Sequence, residues 1–292
     1  MMNGTMTDDL LPAAPPPETA APDTLATAAR EAGLRSAVLR HQLDECKGDQ
    51  KFLEKVVSHR DKEWWLHLKE LYEREVERLK RLRQSGNPSI GPIDELYRRA
   101  NEQASQMPTK FPSNIEWHAK DQKIAINGNH PRYFFDKYKF LEAIIDDEKF
   151  RCTVQTREGK LGTLPADPNA ILEKVRYQLD RLFSRKFDGH SFLARVRQAY
   201  LAAIKAQNNA REGDPIPLRE IFSGITKKAK AYKIDEFIVD LSMLIEKGPA
   251  ATAGYRFELQ QTRDTQEGIL LLGTAGTGMV NLMIFKNTTR TP

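Results

Sequence analysis

The last hundred residues, from about His190 to Lys286, constrain the fold most. Three segments of helical period are followed by runs that alternate apolar and polar residues around glycine. Residues 191–206 place Phe192, Val196, Ala199, Tyr200 and Ala203 on one stripe, which predicts a first helix. A polar loop and the Pro215-Ile216-Pro217 entry lead to a second, 218 to about 228, with Leu218, Ile221, Phe222 and Ile225 inward. The third runs from Asp235, a candidate cap, to Glu246, and Gly248-Pro249 stops it. Residues 255–261 alternate as a strand, and 268–272 and 279–285 supply one or two more. Gly273, Gly276 and Gly278 permit the turn between these last two.

Charge is unevenly placed along the chain. The net charge is +5, yet residues 171–233 carry fourteen Lys and Arg against six Asp and Glu, an excess of eight. Such a concentration attracts a polyanion without reading its sequence. The candidate phosphate contacts are Arg181, Arg185, Lys186, Arg195, Lys227, Lys228, Lys230 and Lys233. The helix of residues 167–187 is expected to bury Ile171, Leu172, Val175, Leu179, Leu182 and Phe183 and turn its cations outward, with Asp167-Pro168 opening it. The bland alternative is a charged helical surface that only solubilises.

Upstream, residues 1–24 read as a disordered tail, because Pro-rich small and polar residues cannot bury enough apolar surface to offset their ordering entropy. Residues 25–108 form a helical arm. A short helix over 25–45 is interrupted at Gly48, and a long one follows over 49–84, with Trp64, Leu68 and Leu71 on its stripe. This long helix either crosses a bundle or pairs with a second copy; Trp64 and Leu68 are its candidate partner contacts. Ser85-Gly86-Asn87-Pro88 stops it, a short helix follows over 93–106, capped by Ser89 or Asp94, and Pro108 and Pro112 predict an extended linker. Residues 109–166 form a small α+β unit: a hairpin over 115–126, a helix over 133–146 and a second hairpin over 150–164 turning at Glu158-Gly159-Lys160. Residues 167–292 hold the basic helix and the C-terminal module. The expected fold class is mainly α with a minor β component.

In element order and length, residues 190–286 resemble the winged-helix superfamily. The resemblance implies a third helix that enters the DNA major groove. Here the exposed positions of that helix would be Asp235, Glu236, Asp240, Ser242 and Glu246. Carboxylates are repelled by phosphate and read few bases, so Asp235, Glu236 and Asp240 are assigned to a protein partner instead. The pattern is similar to winged-helix subunits that accompany SMC-like ATPases, which implies an ATPase partner and weak DNA contact.

Enzyme chemistry has one candidate. Asp147 followed by Glu158-Gly159-Lys160 fits the Asp…Glu-x-Lys spacing with which restriction-type nucleases hold Mg²⁺, although glycine at the centre also suits a hairpin turn. The Gly273-x-x-Gly276-x-Gly278 run lacks the following helix and lysine of a phosphate loop. Six histidines and two cysteines show no zinc-ligand spacing, and no metal or other cofactor is expected. His130-Pro131-Arg132-Tyr133 reads as a structural loop before a helix, with single-strand stacking as its functional alternative. No run of about 18 apolar residues predicts a membrane span, and two distant cysteines fit a reducing cytoplasm. The expectation is a cytoplasmic, non-catalytic adaptor subunit that meets DNA without sequence preference and binds another protein, with homodimerisation possible through the long helix. The alternatives are the Mg²⁺-dependent nuclease and a purely protein-binding scaffold.

Overall fold

The computed structural model describes residues 24–288 except 208, 228, 230, 265 and 274–277. The stretch expected as a tail lies outside the described residues apart from Thr24. The chain divides into two units, Met1–Lys55 and Val56–Pro292. The architecture is mainly helical with two small antiparallel sheets.

Helix α1 (Thr24–Asp61) carries the described part of the first unit, and its last turns open the second. It runs unbroken through Gly48. A single interior glycine costs about 1 kcal/mol, and the Ala, Leu, Arg, Gln and Lys around it are strong helix formers. The break comes at Lys62–Trp64. Glu63 adopts a φ of 56°, and the Trp64 N–H closes the helix on the His59 carbonyl at 2.8 Å.

In the second unit, α2 (Trp65–Arg74) and α3 (Val76–Gln84) bury Leu68, Leu71, Leu79 and Leu82. The predicted stop after Gln84 is present, with Gly86 at a φ of 67°. Helix α4 (Ile90–Asp121) then continues through Pro108 and Pro112, where a linker and a hairpin are expected from the sequence. Its buried residues Ala104, Met107, Phe111, Ile115 and Ala119 recur at three- and four-residue steps, so burial of this stripe outweighs the two missing backbone bonds. Pro108 is exposed, so its ring stands clear of the core. Neither expected side chain caps α4: the Ser89 hydroxyl donates to Asn87, and Asp94 accepts from Tyr72 and Arg83.

The first sheet is a meander of β1 (Asn127–Asn129), β2 (Arg132–Phe134), β3 (Leu141–Asp146), β4 (Arg151–Thr156) and β5 (Gly159–Pro165), in that order. It replaces the helix expected over 133–146. The carboxylate of Asp136 accepts from the backbone N–H groups of Tyr138, Phe140 and Leu141 at 2.7–3.0 Å, which takes the donors a helix would need. Leu141, Ala143 and Ile145 then alternate inward. The hairpin expected over 150–164 is present as β4 and β5. Helix α5 (Pro168–Phe183) and the end of α4 cover this sheet over a core that includes Phe111, Ile115, Tyr133, Leu141 and Ile171.

The C-terminal part contains α6 (Gly189–Ala206), β6 (Ile216–Pro217), α7 (Leu218–Thr226), α8 (Ile234–Lys247), β7 (Ala251–Thr252), β8 (Tyr255–Thr262), β9 (Ile269–Leu270) and β10 (Met279–Asn287). The strands order as β6-β10-β8-β7, with β9 also pairing β10. Phe192, Tyr200, Ile221, Phe237, Leu241 and Phe285 lie in the core between sheet and helices. Gly276 of the expected turn lies outside the described residues.

Candidate interaction surfaces

The third helix of the C-terminal module is enclosed along most of its length, and only Ile245, Glu246 and Lys247 at its end are exposed. Phe237, Ile238, Leu241 and Leu244 of α8 point into the core. Its charged side lies against α5. The guanidinium of Arg181 donates to Asp235 at 3.1 Å and stands 3.2 Å from Glu236; that of Arg185 donates to Asp240 at 2.9 Å. The Tyr232 hydroxyl donates to Asp240 at 2.6 Å. Asp235, Glu236 and Asp240 keep only 2%, 8% and 7% of their surface exposed. Burial pushes the Asp240 carboxyl above its ordinary range, against the hydrogen bond from Tyr232 and the nearby Arg185. The Tyr232 phenol also moves upward, through burial first and the Asp240 charge second.

This geometry corrects the sequence expectation for five residues. Arg181 is largely withdrawn from solvent, Arg185 is partly exposed but paired with Glu236 and Asp240, and Asp235, Glu236 and Asp240 do not offer a free acidic face. The cause is placement: Arg181 in the last turn of α5 and Arg185 just past its end both reach the first turns of α8, where Asp235, Glu236 and Asp240 lie. Ser242 is consumed as well, donating to the Ile238 carbonyl and accepting from the Leu272 N–H.

Other cations of the basic span are also paired. Arg197 meets Glu212 at 2.6 Å and stacks 3.6 Å from the Tyr255 ring. Arg219 meets Glu158 at 3.1 Å, and Arg176 donates to the Gln122 carbonyl at 3.0 Å. Lys186, Arg195, Lys227 and Lys233 are exposed. Three of these gather around the turn from α7 to α8. Tyr232 lies within that turn, and the Arg195 guanidinium sits 5.8 Å from its ring. Lys227 and Lys233 flank it in sequence. Lys228 and Lys230 lie outside the described residues.

The nuclease constellation is not assembled. Asp147 sits in the turn before β4 and Glu158 in the turn after it, so the six-residue strand separates them by ~20 Å. Asp147 pairs with His130 at 2.7 Å, and Glu158 with Arg219. Lys160 is exposed at the start of β5. Among the described residues no group of three or more His, Cys, Asp or Glu could hold a metal ion.

Leu68 is buried in its own unit, so it offers no partner contact there. Trp64 is half-buried between His59 and His67, at ring distances of 5.3 and 4.9 Å, with the Lys62 ammonium 4.6 Å over its ring. Beside this stack lies an arrangement with no sequence signal. Asp167 is completely buried, and its carboxylate accepts from the Leu66 N–H at 2.9 Å, the His67 N–H at 3.0 Å and His67 Nδ1 at 2.6 Å. It caps α2, roughly a hundred residues away, and makes no side-chain cap bond to its own helix α5. Lys62 with Glu173 and Asn169 with the Lys62 carbonyl complete this latch.

A cleft of about 270 Å³ lies among Asp136, Tyr138, Phe183, Met243 and Glu246. Asp136 and Ser242 on its walls are already committed to backbone partners, so they are not available to a ligand. No described helix is long and apolar enough to cross a membrane. No protein-family model matches the chain, and neither a curated protein nor a solved structure shows significant similarity to it.

Proposed function

We propose that the chain is a non-catalytic, DNA-associated adaptor subunit whose C-terminal module is a winged helix used without groove reading. The fold part of this reading is supported by the order α6-β6-α7-α8-β8-β10 and by the pairing of β6 and β8 on either side of β10. The single observation that carries the function is the enclosure of α8. A helix whose Asp235, Glu236 and Asp240 are held by Arg181 and Arg185 keeps only Ile245, Glu246 and Lys247 at its C-terminal end exposed, a poor set for reading base edges. The exposed candidates for nucleic acid are Lys227 and Lys233 flanking the turn from α7 to α8, Arg195 on α6 beside it, and Lys186 between α5 and α6. Four such cations suit phosphate contacts, which give salt-dependent affinity and no base preference. An ATPase of the SMC-like kind is the partner class that the winged-helix resemblance brings.

The test is fluorescence anisotropy with a duplex of arbitrary sequence, read over a series of salt concentrations. Replacing Lys186, Arg195, Lys227 and Lys233 by Gln should lower affinity at least tenfold at low salt. The slope of log affinity against log salt should shrink by about one for each phosphate no longer neutralised. Unchanged binding would sink the DNA assignment. Absence of salt-dependent binding in the unaltered chain would favour the second reading, a scaffold that binds protein alone; the withdrawal of Arg181 and Arg185 from the exposed charge supports that alternative.

A further inference from the structure

Every described side chain from Leu25 to Asp44 on α1 is exposed. Leu25, Leu39 and Leu43 keep 80%, 64% and 53% of their surface in solvent. These residues are not scattered. Leu25, Ala32, Leu39, Cys46 and Leu53 recur every seven residues, and Ala29, Ser36, Leu43 and Gln50 fall between them at the alternating three- and four-residue steps of a heptad seam. Four heptads is the length that sustains a two-helix rope. Leu34 and Val38, one helical turn apart and also exposed, lie on an adjoining face off this seam.

We propose that this seam docks a second copy of the same chain, and that the two copies of α1 run antiparallel. The charges beside the seam decide the direction. In a parallel pair, Arg35 faces the second copy's Arg40, and Asp49 faces its Glu54. Two-fold symmetry makes each contact twice, giving four like-charge pairs. In the antiparallel pair that stacks Leu39 on Leu43 of the other copy, Arg35 faces Asp49 twice, and Arg40 meets Arg40 once near the centre. Like charges facing across a helical seam disfavour pairing, and opposite charges set orientation. Among the described residues Arg35 approaches Glu31 loosely, at 3.9 Å, with both side chains mostly exposed. The same register places Ser36 opposite Cys46 and sets the two Cys46 thiols ~15 Å apart along the axis.

The experiment uses the full chain and two readouts. Light scattering after size exclusion at about 100 µM should give twice the chain mass. Leu39→Asp with Leu43→Asp should give a single chain mass, at least a hundredfold weakening. Under diamide, which takes up the two thiol hydrogens, the wild type should form no interchain disulfide. The Ser36→Cys variant should form one joining position 36 of one copy to Cys46 of the other, identified by peptide mapping. A monomeric wild type would overturn the proposal. So would a Cys46–Cys46 link in the wild type, which marks a parallel pair. A dimer that survives the double aspartate substitution would also overturn it, by placing the contact elsewhere.

Discussion

Arg181 on α5 donates to Asp235 in the first turn of α8, at 3.1 Å, with both side chains withdrawn from solvent. Removing one member of such a buried pair strands the other charge, which typically costs 3–5 kcal/mol, whereas replacing both by apolar groups is often close to neutral. Arg181→Met alone should therefore lower unfolding stability by about 3 kcal/mol, and Asp235→Leu alone by a similar amount. The double substitution should recover most of the loss. Denaturant unfolding of the four proteins measures the coupling. Additive losses would mean that the pair contributes nothing as a pair.

That contact also marks the limit of sequence reading here. The C-terminal elements are legible because periods of 3.6 and 2 change sharply at Gly248-Pro249, and because the core must swallow Phe192, Ile221, Phe237 and Phe285 together. The hairpin of β4 and β5 is legible from Gly159, which takes a φ of 146°. Residues 115–126 mislead because Ile115 satisfies both an alternating pattern and a helical one; Phe111 and Ala119, four residues to either side, decide for the helix. Residues 133–146 mislead because the spacing of Phe134, Tyr138, Leu141 and Ile145 is helical, while the Asp136 side chain captures the intervening backbone donors. The cations of α5 can be counted from the sequence, but a count carries no direction. Which of them meet Asp235, Glu236 and Asp240 depends on how α5 and α8 pack, and Arg185 reaches α8 from beyond the end of α5.

Asp167 holds the start of α2 from a distance. Its carboxylate serves two backbone donors and the His67 ring inside a fully buried site. Asp167→Ala removes a helix cap, worth 0.5–2 kcal/mol, and leaves buried donors unsatisfied, at 1–3 kcal/mol. The combined loss should be about 3 kcal/mol. Asp167→Asn keeps one acceptor and should lose about half as much. Thermal unfolding of the two variants provides the comparison. Hydrogen exchange should quicken first at Leu66 and His67. Equal, small losses in both variants would show that the cap does not stabilise α2.

Cys152 lies in β4 with no exposed surface, and burial pushes its thiol up to about 12 from an ordinary 9. The folded state thus holds a proton that the unfolded chain releases once pH passes the ordinary thiol value. Folding stability from this group is fully present below pH 9 and declines as pH rises from there toward 12. Measured against Cys152→Ala at each pH, the wild type should lose ground steadily across that window, and the comparison cancels the lysines and tyrosines that titrate there too. Reactivity follows the same logic, because only the thiolate attacks. In a Cys46→Ser background, Cys152 should resist a thiol reagent at pH 8 until guanidinium unfolds the chain, then react stoichiometrically. Prompt labelling of the native protein would mean that β4 opens locally far more often than its place in the middle of the sheet allows.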